Sequence, residues 1–94
     1  MSDAVAVQPY RIIEREAGGQ VKITVQHDMI LYPDYIQTHA HAFPIVDVYD
    51  ISCRRLGGND AILYLHTNQG VFPYKVNIDP SLFIAAFHAQ KQRQ

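Results

Sequence analysis

Tryptophan is absent from this 94-residue chain, and cysteine occurs once, at Cys53. A lone cysteine excludes an intrachain disulfide, a Cys-x-x-Cys redox motif and a cysteine-rich zinc site, and a cytoplasmic location is the expectation that goes with such usage. Charge is sparse and nearly balanced, with Lys+Arg 8 against Asp+Glu 9 and a net charge of -1. Binders of polyanions usually carry a basic face, so nucleic acid is not an expected partner. No apolar run approaches the roughly 20 residues needed to cross a bilayer. The first residues, Met1 to Val7, lack the basic stretch and longer apolar region of a signal peptide. A glycine-rich phosphate loop, a nucleophile elbow and a serine-triad pattern are also missing, so neither enzymatic activity nor a cofactor is expected.

What is present describes one globular domain: 48% hydrophobic and 18% charged residues, with Tyr 6 and Phe 4 supplying the aromatics. The clearest helix lies at the end. Asp79-Pro80-Ser81 opens it, because Asp79 can accept first-turn amides and proline at the first helical position sacrifices no hydrogen bond. Leu82, Phe83, Ala86 and Phe87 then fall at a spacing that places them on one helical face.

Nearly everything before this helix alternates like β-strand. Tyr10 to Arg15 predicts a strand, Ala17-Gly18-Gly19-Gln20 a tight hairpin, and Val21 to Val25 a half-buried partner strand. His27-Asp28 interrupts the pattern, Met29 to Tyr32 predicts a short strand, and Pro33-Asp34 turns into another over Tyr35 to His41. Ile45, Val48 and Ile51 are spaced by three. The β-branched and Asp-rich content of Ile45 to Leu56 nevertheless favours a bent or bulged strand over a helix. Gly57 to Asp60 is a turn, Ala61 to Thr67 a strand, Asn68-Gln69-Gly70 a hairpin, and Val71 to Ile78 the last strand. Pro73 within it predicts an edge position or a local irregularity. The expected fold is mainly β (α+β): about seven antiparallel strands forming a barrel or two orthogonal sheets, closed by one C-terminal helix.

The order of elements over residues 10–91, the strand pair around Met29 to Thr38, the segment Phe43-Pro44-Ile45-Val46-Asp47-Val48-Tyr49-Asp50-Ile51 and the closing helix with Phe83, Ala86 and Phe87 together resemble the pleckstrin-homology-like (PH-like) superfold, in particular its small bacterial members. Residues 1–9 show no usable periodicity and are expected to form a flexible lead-in, and the resemblance implies a single PH-like domain over 10–94. It also implies a binding or scaffolding role, since members bind peptides beside the closing helix or self-assemble through exposed edges. Members that bind phosphoinositides use basic residues around the first hairpin loop. Here only Arg15 and Lys22 flank that loop, with Glu14 and Glu16 nearby, so headgroup binding is not expected.

The leading functional expectation is a non-enzymatic module that recognises a protein partner or a second copy of itself, by strand-edge pairing beside Pro73 or through the groove flanking the helix. Tyr32, Tyr35, Phe72 and Tyr74 are candidate partner-binding residues, because tyrosine joins apolar area to a hydroxyl that tolerates water. An alternative is metal binding by His39 and His41, which project to the same side if their segment is a strand. A third ligand would have to come from His27, His66, His88, Asp34 or Asp47, and spacing selects none of them. Cys53 reads as a small, partly buried residue at a strand end.

Overall fold

The computed structural model describes residues 3–15 and 22–93. Seven antiparallel strands form one sheet, and a single helix follows them. In chain order these are β1 (Ala6–Arg15), β2 (Lys22–Leu31), β3 (Tyr35–Gln37), β4 (Ala42–Pro44), a 3-10 turn (Ile45–Asp47), β5 (Val48–Gly57), β6 (Asp60–Thr67), β7 (Gly70–Val76) and α1 (Ser81–Gln92). The mainly-β expectation with a closing C-terminal helix is met. The turn expected at Ala17 to Gln20 lies outside the described residues.

Across the sheet the strands run β4-β3-β2-β1-β7-β6-β5. β4 and β5 are therefore opposite edges, about 29 Å apart if the sheet were flat, at about 4.8 Å per step. Only Ile45–Asp47 joins them, a link that reaches about 14 Å at full extension. The sheet must curl until its edges approach. The corner is tied down by the Ile45 amide donating to the Asp34 carbonyl and the Asn68 amide to the Asp47 carbonyl, both at 3.0 Å.

Several boundaries differ from those the sequence predicts. β1 begins at Ala6, so residues 6–9, expected in the lead-in, pair with Asp28 to Leu31. β2 runs through His27-Asp28 without a break because His27 keeps the alternation: its ring lies on the inner face with Met29 and Leu31, packed against Tyr10. The strand expected over Tyr35 to His41 ends at Gln37, where Thr38 folds the chain back by donating its amide to the His41 carbonyl and accepting the amides of Ala40 and His41 on its hydroxyl. The spacing of three in Ile45, Val48 and Ile51 reflects a 3-10 turn followed by a β-bulge between Val48 and Asp50, and all three side chains are buried.

α1 covers the open side of the curled sheet. Phe83 and Phe87 enter the core, and Ile84 and Ala86 pack at its margin. Leu82 does not share that face: it is 86% exposed. The helix starts one position later than the capping pattern suggests, yet Asp79 still caps it, its carboxylate accepting the Ser81 amide at 3.0 Å and the Ser81 hydroxyl at 2.6 Å. Arg55 of β5 donates to the same oxygen at 2.9 Å. At the other end Lys91 donates to the Ile45 carbonyl and Gln90 to the Pro33 carbonyl. Among the described residues no helix is long and apolar enough to cross a membrane.

Candidate functional site

Among the described residues the fewest ladder pairs in the sheet lie between β1 and β7. β1 and β2 are registered over ten residue pairs and β6 and β7 over seven, but β1 and β7 share a single rung, Arg11 opposite Lys75. Pro73 explains why the ladder stops. Backbone groups alternate sides along a strand, so the residue two before Lys75 also turns its nitrogen toward β1. As a proline it has no N–H to offer there. Pro73 thus sits in an interior strand, at the local irregularity that its presence in a strand demands.

Beyond that rung β1 carries on as half of the β1–β2 hairpin, and a cleft of about 280 Å³ opens beside it, lined by Arg11, Ile13, Thr24 and Lys75. By the same alternation the Ile13 N–H and C=O point to the β7 side of β1. They have no strand partner on that side among the described residues. Ile13 is 62% exposed. An unpaired strand edge with an exposed aliphatic side chain is a template for further pairing.

The charged residues lining the cleft, Arg11 and Lys75, are both cations. Residues directly opposite in a ladder share a face, so the register places Arg54, Ile62, Lys75, Arg11 and Gln26 in one row across the outer surface. The ion pairs among the described residues are Arg55–Asp79 and His88–Asp50, so Arg11 and Lys75 lack a carboxylate partner. Asp28, two positions along β2 from Gln26, is the nearest acid on this face by register, a diagonal of about 7–8 Å from Arg11. Val71 and Pro73 continue the surface as exposed apolar residues, with Tyr64 and Ile62 half-buried behind them.

The histidine pair expected to share a side does not lie on a strand, and the turn closed by Thr38 sends the two rings to different neighbours. His39 stacks on His27 with ring centres 4.7 Å apart, while His41 packs against Phe43 and Phe72 at 5.3 and 5.4 Å. The Tyr10 hydroxyl accepts the His39 amide at 2.8 Å and lies 2.6 Å from His39 Nδ1, committing that nitrogen. His27 Nε2 is buried with no hydrogen-bond partner. No group of three His, Cys, Asp or Glu side chains able to hold a metal is found among the described residues. Burial pushes the Tyr10 and Tyr74 phenols up from their ordinary value, so both stay neutral at physiological pH.

The four candidate partner-binding aromatics are scattered. Tyr32 and Tyr35 stack on each other at 4.7 Å beside the β2–β3 turn, Phe72 packs on Phe43, and Tyr74 is a core residue edge-on to Tyr10. Cys53 is half-buried opposite Leu63. A serine, a histidine and an aspartate do meet on the outer face of β5 and β6, which cross-strand register brings about and linear spacing hides. Ser52 Oγ lies 2.7 Å from His66 Nε2, and Asp50 stands opposite His66. Asp50 turns its carboxylate to His88 and to the Ile51 amide instead, and the His88 hydrogen bond holds it below the usual carboxylate range. Asp50, Ser52 and His88 are exposed and His66 is half-buried. The residues that sequence reading missed are Arg11, Ile13 and Lys75; the one signal for them was Pro73 within an otherwise regular strand. No family model matches the chain, and neither does any curated protein or solved structure.

Proposed function

We propose that the chain is a non-enzymatic protein-interaction module of PH-like build, which captures an extended segment of a partner by adding it as a strand to the free edge of β1. The order of seven strands followed by a closing helix supports the PH-like reading. The observation that carries the interaction reading is the single rung between β1 and β7: it leaves unpaired backbone, an exposed Ile13 and a cleft in one place. Main-chain hydrogen bonds to such an edge supply affinity with little demand on sequence.

A second copy of this chain is a poorer occupant. Two-fold pairing of β1 with itself would gather two copies of Arg11 and Lys75 on one continuous face, and like charge there opposes association. The test is to titrate isotope-labelled protein with a pooled library of random synthetic pentapeptides and follow the backbone amide resonances. Changes centred on Arg11, Ile13 and Thr24 support strand addition; an unchanged cleft at millimolar peptide would sink it.

A further inference from the structure

The cleft has a shape that constrains what enters it. Arg11 and Lys75 both line it, so their rung bounds it on one side, and no further β1–β7 pair is found among the described residues. A strand added to β1 from that side has nowhere to continue once it reaches the rung. Its chain must stop there or swing out of the sheet. A volume of about 280 Å³ lies just under the range of roughly 300–1,000 Å³ typical of ligand pockets, which suits a chain end better than a long passing segment.

The rung itself is two cations. Arg11 and Lys75 face each other with no carboxylate partner among the described residues, and Arg54 lies on the same row. Like charges placed directly opposite in a ladder weaken the sheet, and no ion pair among the described residues offsets that cost. An anion at the rung would. A free amino terminus would meet repulsion in the same place, so direction is fixed as well as charge. β1 runs away from the rung and β7 runs toward it. A segment whose last residue sits at the rung is therefore antiparallel to β1, the orientation with the better hydrogen-bond geometry.

Resting on the strand-addition reading, we propose that the β1–β7 cleft binds the free C-terminal end of an extended partner, its α-carboxylate held by Arg11 and Lys75 and its preceding residues paired along β1 past Ile13. Guanidinium and ammonium donors to a carboxylate form charge-assisted hydrogen bonds, roughly twice as strong as neutral ones. Thr24, the β2 residue opposite Ile13, lines the same cleft.

The test uses the same pentapeptide pool made twice, as free acids and as C-terminal amides, with retention on immobilised full-length protein read by mass spectrometry. Wild type is expected to retain free acids at least tenfold over amides, and the double variant R11Q/K75Q to lose that preference while keeping its thermal transition. Equal retention of acids and amides by wild type would overturn carboxylate capture and leave strand addition standing. An acid preference that survives in R11Q/K75Q would place the carboxylate elsewhere and overturn it too. If no peptide is retained, both readings fall. Vesicles of phosphatidylserine in phosphatidylcholine are run alongside: wild type binding them, R11Q/K75Q not, and peptide acids retained no better than amides would reassign the cation pair to a lipid surface.

Discussion

Arg11 and Lys75 stand opposite each other in the one rung that joins β1 to β7 among the described residues, two cations with no carboxylate partner between the halves of the sheet. Replacing one sign relieves the repulsion and supplies an attraction. Lys75→Glu is expected to stabilise the fold by about 0.5–1 kcal/mol and to abolish retention of peptide acids. Urea denaturation checks the first part, through a raised midpoint at unchanged slope. A variant that gains stability and loses binding would mark the native pair as maintained for a ligand.

The helix face makes a sharper contrast than its sequence suggests. Phe87 is 0% exposed and Leu82 is 86% exposed. Phe87→Ala is expected to cost about 3–5 kcal/mol by leaving a cavity, while Leu82→Ala should stay within about 0.5 kcal/mol. Equilibrium unfolding of the two variants decides the matter. Comparable losses would mean that the helix presents a different face to the sheet.

Tyr10 links the sheet to the turn after β3, since its hydroxyl serves both the amide and Nδ1 of His39. Tyr10→Phe keeps the ring packing against Tyr74 and removes that hydroxyl. The expected loss is about 1–3 kcal/mol, the cost of stranding partly buried polar groups. Faster amide exchange at His39, with exchange in β6 changed only by the global loss, would localise the effect.

Asp79 gives the fold an acid dependence of defined sign. Hydrogen bonds from the Ser81 hydroxyl and amide, then from Arg55, lower its carboxyl from the ordinary value of 3.8 to about 2. The unfolded chain binds this proton more readily, so the contribution is fully present above about pH 4 and is lost as pH falls toward 2. Asp79→Asn should flatten the fall in thermal midpoint across that window and leave the slope between pH 6 and pH 8 unchanged. An equally steep fall in the variant would assign the acid sensitivity to other carboxylates.

Local chemistry made much of the fold legible. Gly57, Gly58 and Gly70 take positive φ at the turns where they were expected, and Phe83 and Phe87 bury as helical spacing requires. Features decided by distant partners were not legible. His27-Asp28 looks like a break because both residues are polar, yet Tyr10 and His39 give the imidazole a place on the inner face. Ala6 to Pro9 show no periodicity of their own; their order comes from pairing with Asp28 to Leu31 and from Gln8 donating to the Ile78 carbonyl. The candidate site was the least legible part. Arg11 and Lys75 lie far apart in sequence, and only sheet order, with β7 placed beside β1, brings them together. Pro73 signalled an irregularity without saying which strand it would part from.

The most direct measurement is amide exchange at Ile13, with and without a saturating peptide acid recovered from the pool. Its N–H points to the β7 side of β1, so strand addition with the carboxylate at Arg11 and Lys75 should slow its exchange at least tenfold in wild type, and less in R11Q/K75Q at the same peptide concentration. Unchanged exchange at Ile13 while the peptide is bound, with protection appearing beside α1 or along β5 instead, would contradict the assignment of the β1–β7 cleft as the binding site.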